Sequence, residues 1–96
     1  MSLEEEKISA IRKYLLDALP GHEVQDGSRT HVDRTLQILH GVEIICTIQI
    51  TTALLDGSRP SVLELEEALE KHNVAPWVLS SPVVYLHHNT LGLIDK

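Results

Sequence analysis

Residues 36–54 read LQILHGVEIICTIQITTAL, and the spacing of their apolar side chains decides the fold class. Leu36, Ile38, His40, Val42, Ile44, Cys46, Ile48, Ile50, Thr52 and Leu54 recur at every second position, with Gln37, Glu43, Thr47, Gln49 and Thr51 between them. A period of two belongs to a half-buried strand, because successive side chains point to opposite sides of the pleat. His40-Gly41 interrupts the run where a chain can reverse, which predicts a β-hairpin. A two-residue loop would pair positions of opposite parity, setting Leu36 and Ile38 against Ile45 and Glu43. A three-residue loop, Leu39 to Gly41, instead pairs Ile38 with Val42 and Leu36 with Ile44. Apolar then meets apolar, so the odd loop is expected.

Upstream of the hairpin, residues 3–19 carry Ile8, Ile11, Leu15 and Leu19 at spacings of three and four, with Leu16 widening the stripe. That is an amphipathic helix. Ser2 and Glu5 have capping-box spacing, Glu4 to Glu6 suit the positive end of the helix dipole, and Pro20-Gly21 stops the helix. His22 to Gln25 reads as a short strand, closed by a turn at Asp26-Gly27-Ser28-Arg29. Downstream, Asp56-Gly57-Ser58-Arg59-Pro60 ends the long strand. Ser61 with Glu64 opens a second helix over 62–72, whose apolar stripe is Val62, Leu65 and Leu69, and Asn73 terminates it. Pro76 to Leu79 suits a short helical turn, and Val83 to Leu86 a last strand, which Leu91 to Ile94 extends or folds back upon.

The order is helix, strand, hairpin, helix, strand. It predicts an α+β fold in which a small antiparallel sheet carries two main helices packed on one face, with residues 1–96 forming a single domain. The chain has no Phe, and its aromatic residues are Tyr14, Trp77 and Tyr85, so the core is aliphatic. Fourteen acidic residues against eight basic ones give a formal charge of −6. The basic residues are scattered, whereas phosphate backbones are bound by clustered Lys and Arg, so nucleic acid and anionic membrane are disfavoured partners. A lone cysteine, Cys46, precludes an intrachain disulfide. There is no apolar run of membrane-spanning length and no greasy leader, so a cytoplasmic location is the default expectation.

Motifs that carry chemistry are scarce. Asp-Gly-Ser-Arg occurs at 26–29 and again at 56–59. A duplication would make residues 30–40 a helix; the period-two pattern favours a turn composition used twice. Six histidines, at positions 22, 31, 40, 72, 87 and 88, invite a metal hypothesis, but no pair has ligand spacing on one element, and adjacent His87 and His88 on a strand would point apart. No metal ion and no cofactor are expected. Cys46 lies among Ile44, Ile45 and Ile48, the setting of a buried thiol, not a nucleophile. Ser80-Ser81 lacks a Gly-x-Ser-x-Gly frame, and no phosphate loop, dinucleotide glycine pattern or Cys-x-x-Cys pair is present. Trp77 suits an interface anchor. Ile45 and Leu55 fall on the nominally polar face of the long strand and join it as possible interface residues.

In element order alone the front half looks like a double-stranded-RNA-binding domain, whose last helix opens on lysines; Ser61-Val62-Leu63-Glu64 stands there instead. The back half fits a helix-turn-helix or winged-helix scheme only with residues 80–91 as a recognition helix that holds no Lys or Arg. Neither resemblance reaches the level of sequence. The expected role is a non-catalytic protein-interaction module, homodimeric through a sheet edge or an apolar sheet face, since uncovered edges and apolar patches pair with other chains. The alternatives are a nucleic-acid-binding regulator of the helix-turn-helix kind, or a small enzyme whose histidines and carboxylates meet in a dimer-formed pocket.

Overall fold

The computed structural model describes residues 3–57, 60–88 and 90–92. The chain runs α1 (Leu3–Ala18), β1 (His22–Arg29), β2 (Asp33–His40), β3 (Glu43–Thr51), α2 (Thr52–Asp56), α3 (Val62–Lys71), α4 (Ala75–Ser80) and β4 (Val83–Leu86). The strands form one sheet in the order β1-β2-β3-β4. An α+β architecture on a small sheet is therefore present as the alternation in residues 36–50 requires. Leu36 and Ile38 of β2, Cys46, Ile48 and Ile50 of β3, and Val84 and Leu86 of β4 are buried with Ile8, Ile11 and Leu15 of α1, Leu54 and Leu55 of α2, and Leu65 and Leu69 of α3.

The central hairpin reaches its register by a different route from the one expected. His40 pairs with Glu43 across a two-residue loop, Gly41-Val42, with Gly41 at φ +70°. Leu39 then pairs with Ile44, but Ile38 pairs with Cys46 and Leu36 with Ile48, so Ile45 is an inserted residue. A β-bulge places two residues opposite one and switches the parity of everything beyond it. The need for even positions to face even positions was thus correctly read, and the device that meets it is the bulge instead of an odd loop. Val42, in the loop, is 99% exposed, and Ile44, before the bulge, is 48% exposed. Neither lies on the apolar face where simple alternation put them.

The turn expected at Asp26–Arg29 belongs to β1 itself. Register shifts between Asp26 and Arg29, and Ser28 N–H donates to Thr35 Oγ1 at 2.6 Å across the irregularity. The chain reverses later, where Thr30 N–H donates to the Asp33 carbonyl at 2.8 Å and Thr30 Oγ1 accepts from the amides of Val32 and Asp33. A threonine hydroxyl that collects nearby amides is a recurrent turn-former. Residues 33–40 are strand, so the twice-used tetrapeptide marks no helical duplication.

The long strand also ends earlier than the alternation implies. Thr51 is in extended backbone and its side chain accepts from Leu54 N–H, which makes it the N-cap of α2. Leu54 is buried as expected, but on a helix. The second helix expected over 62–72 is α3, with both halves of the Ser61–Glu64 capping box formed, and Asn73 follows at φ +52°. The turn expected at 76–79 is α4, with proline in its first turn. Of the four helices described, the two main ones and the short one at 75–80 were expected and α2 was not. The Ser2 half of the first capping box, Ser58-Arg59 and the residues beyond Gly92 lie outside the described residues.

β4 runs parallel to β3, with Thr47 beside Val83 and Gln49 beside Tyr85, so the sheet is mixed and not wholly antiparallel. The connection explains the direction. Residues 52–82 carry three helices across one face of the sheet, and a helical crossover of that length delivers a strand pointing the same way as the one it left. With Val83–Leu86 extended, residues 80–91 form no recognition helix.

Candidate interaction surface

Because Cys46, Ile48 and Ile50 turn toward the helices, Thr47 and Gln49 turn away. Register extends this to the whole sheet. One outward row is Gln25, Gln37, Thr47 and Val83; a second is Thr35, Gln49 and Tyr85. Gln25 Nε2 donates to Gln37 Oε1 at 2.6 Å within the first row. Neither row contains a formal charge. Leu39 and Ile44 continue the surface toward the β2–β3 turn. Val83 is 39% exposed and Tyr85 56%. Beside Tyr85, a shallow hollow of about 210 Å3 is lined by Val32, Asp33, Gln49, Thr51, Leu86 and His87.

The flanking rows of the face do hold charge, Glu23 beside Leu39 and Asp33 beside Thr51, whereas the adjoining edge holds none. From His72 to Ile94 the sequence contains no Asp, Glu, Lys or Arg, although 22 such residues occupy the rest of the chain. This run builds α4 and β4. Leu79 projects from α4 at 59% exposure, next in space to a strand whose Val83 and Tyr85 are also exposed. The gap in the charge pattern was legible in the sequence, but it gains meaning only once the topology puts β4 at the margin of the sheet.

The two margins of the sheet are unlike. At β1, Arg12 of α1 donates from Nη1 to the Val24 carbonyl at 3.1 Å and from Nη2 to Asp26 Oδ1 at 2.6 Å, so a side chain occupies the strand's outer acceptor. The irregularity between Asp26 and Arg29 breaks the same edge further. Charged side chains and bulges are ways of closing an edge strand to pairing. At β4, Thr47 N–H donates to the Pro82 carbonyl at 2.9 Å. In a parallel ladder that bond turns the backbone groups of Val84 and Leu86 toward β3 and those of Val83 and Tyr85 outward. Among the described residues nothing pairs with that outer edge.

The three residues singled out as possible interface positions separate. Trp77 and Ile45 are half-buried and pack against the core, Trp77 also lying tilted against His72 with ring centroids 6.4 Å apart. Leu55 has no exposed surface at all. It is a core residue of α2, because the chain coils after Thr51 and the alternation that assigned it to the outer face has ended. The residues that sequence reasoning missed are Leu79, Val83 and Tyr85.

Several ionisable groups near the start of α1 have structural partners. Glu4 accepts from Arg29 Nε and Nη2, each at 2.9 Å, and from Arg34 Nη1 at 3.0 Å, while Arg34 also reaches Glu5 at 2.7 Å. The Arg29 hydrogen bond chiefly, with Arg34 adding to it against the cost of burial, holds the Glu4 carboxyl at about 2. These pairs fasten the start of α1 to β1 and β2. Lys7 is wholly buried, its Nζ donating to the carbonyls of Leu54 and Gly57. Burial lowers its pKa, opposed by the charges of Asp56 and Glu64.

The histidines do not gather. His22 and His40 are register partners whose rings stack with centroids 4.7 Å apart. His31 accepts a hydrogen bond from Thr52 through its backbone, and His72 caps α3. Among the described residues no group of three or more His, Cys, Asp or Glu side chains could hold a metal ion. Cys46 is buried, and desolvation raises its pKa, the opposite of what a thiolate nucleophile needs. A hollow of about 370 Å3 between α1 and α3 is an open groove walled by Lys13, Tyr14, Asp17, Glu66 and Glu70. Among the described residues no helix is long and apolar enough to cross a membrane.

Comparison with protein-family models, curated proteins and solved structures finds no match to this chain.

Proposed function

We propose that this chain is a non-catalytic interaction module that associates with a second copy of itself through the uncharged margin formed by β4 and the adjoining α4, together with the neighbouring part of the uncovered sheet face. The observation that carries the reading is the segregation of charge. A chain of formal charge −6 carries no Asp, Glu, Lys or Arg from residue 72 to residue 94, the run that builds α4 and β4, and places Leu79, Val83 and Tyr85 there in contact with solvent. Exposed apolar side chains on a surface depleted of charge mark contact surfaces between proteins. Two acidic copies repel at long range, and that repulsion is least where the facing surfaces hold no charge.

The stacked histidines, buried thiol and partnered carboxylates give no support to a catalytic role. The scattered basic residues, four of which (Lys7, Arg12, Arg29 and Arg34) are engaged with Glu4, Asp26 and backbone carbonyls, give none to phosphate binding. Sedimentation or light scattering across a concentration series tests the reading. The expected result is a mass of two chains at high micromolar concentration, falling to one on dilution. A single-chain mass throughout overturns it.

A further inference from the structure

Resting on that reading, we infer that the second copy joins through the outer edge of β4, strand to strand and antiparallel about a two-fold axis, so that two four-stranded sheets become one of eight strands. The axis passes beside Val84. Val84 then faces Val84 of the other copy, and Val83 of each copy faces Tyr85 of the other.

Three observations select this arrangement over stacking of the two sheet faces. The first is the direction of the backbone groups. The Thr47-to-Pro82 hydrogen bond turns the N–H and C=O of Val83 and Tyr85 outward. In the pairing described, these are the residues that exchange bonds across an antiparallel ladder, while Val84 occupies the unbonded position between them. The second is the side-chain complement. Val83 and Tyr85 stand on the same exposed face, so each copy contributes a β-branched residue opposite an aromatic one, a favourable cross-strand pair made twice by symmetry. The third is the contrast between edges. Arg12 on the Val24 carbonyl, with the broken register beyond Asp26, closes β1 to the same kind of addition. One open edge and one closed edge make a two-fold pair that ends at two copies. A cationic partner would be drawn instead to the acidic flank of α3, where Glu66, Glu67 and Glu70 are exposed.

The amide protons of Val83 and Tyr85 test the inference in the unaltered chain, by hydrogen exchange followed residue by residue at concentrations below and above association. Edge pairing predicts that both amides slow by about tenfold or more as the dimer forms, because outward N–H groups on an open edge otherwise exchange through solvent. A dimer in which both amides exchange at the monomer rate overturns the edge arrangement while leaving self-association standing. A chain that stays monomeric removes both readings; slowing of the two amides in such a monomer only on addition of an unrelated extended peptide would assign the edge to a different occupant. Tyr85→Pro supplies a second arm. It deletes one outward donor that the monomer leaves to water, and proline is tolerated on edge strands. Unchanged circular dichroism with association weakened by about tenfold or more is expected; wild-type association in that variant overturns the inference.

Discussion

Lys7 Nζ donates to the Leu54 carbonyl at 2.6 Å, joining residues 47 positions apart in the chain. A second bond, to Gly57, makes this ammonium the C-terminal cap of α2, where helix carbonyls lack partners of their own. A fully buried lysine is uncommon, and two carbonyl acceptors with Asp56 and Glu64 nearby are what keep its charge tolerable there. Lys7→Met preserves the length and apolar stem but orphans both carbonyls. It is expected to destabilise the fold by about 1–3 kcal/mol, measured by urea unfolding.

The Glu4 carboxyl gives the acid limb of stability a defined shape. Its value in the folded chain is about 2, against an ordinary value of 4.5, and the hydrogen bond from Arg29 is the main cause. Because the folded pKa lies below the unfolded one, this stabilisation is complete above pH 4.5 and is lost as pH falls toward about 2. Glu4→Gln is therefore expected to cost about 1–3 kcal/mol at neutral pH and almost nothing at the acid end. Parallel unfolding curves of the two proteins at several pH values check this, and a pH-independent difference would contradict it.

Leu55 separates core from interface. Leu55→Ala is expected to destabilise by about 2–5 kcal/mol through lost burial and the cavity left behind. The self-association constant of the folded fraction should not change, since Leu55 has no exposed surface. Chemical unfolding together with sedimentation distinguishes the two effects.

Gly27 meets Thr35 so closely across the β1 irregularity that an added Cβ would overlap Thr35 Oγ1 and crowd the Thr35 carbonyl. Gly27→Ala is expected to cost about 1–3 kcal/mol from overpacking. Thr35→Ala should recover part of that loss in the double variant, although it also removes the acceptor for Ser28 N–H. A thermal-melt double-mutant cycle reads the coupling.

Arg12→Ala should open the edge that Arg12 now closes by releasing the Val24 carbonyl. With both margins of the sheet able to pair, species larger than two copies are expected at concentrations where the parent stops at two. Light scattering as a function of concentration checks it.

What the amino-acid order alone determined is whatever depends on neighbours along the chain. Alternation from Leu36 to Ile50 requires strands, spacing of three and four from Ile8 to Leu19 requires α1, and Ser61 with Glu64 opens α3; each is a local periodicity or a local hydrogen bond. Even the parity of the central hairpin was readable, because Leu36 and Ile38 cannot be buried unless they face even-numbered partners. The tertiary structure alone decided how that parity is met, since loop and bulge at Ile45 satisfy the same pattern equally well. It also decided that Leu54 and Leu55 are buried on a helix, capped by Thr51 at its start and held at its far side by Lys7 from a distant part of the chain. The direction of β4 and its place at the margin follow from where three helices lie across the sheet, which no short stretch of sequence encodes. For the same reason the surface at Val83 and Tyr85 was invisible residue by residue: alternation tells which side chains share a face, but only the packing of α1 to α4 on the opposite side leaves that face to solvent.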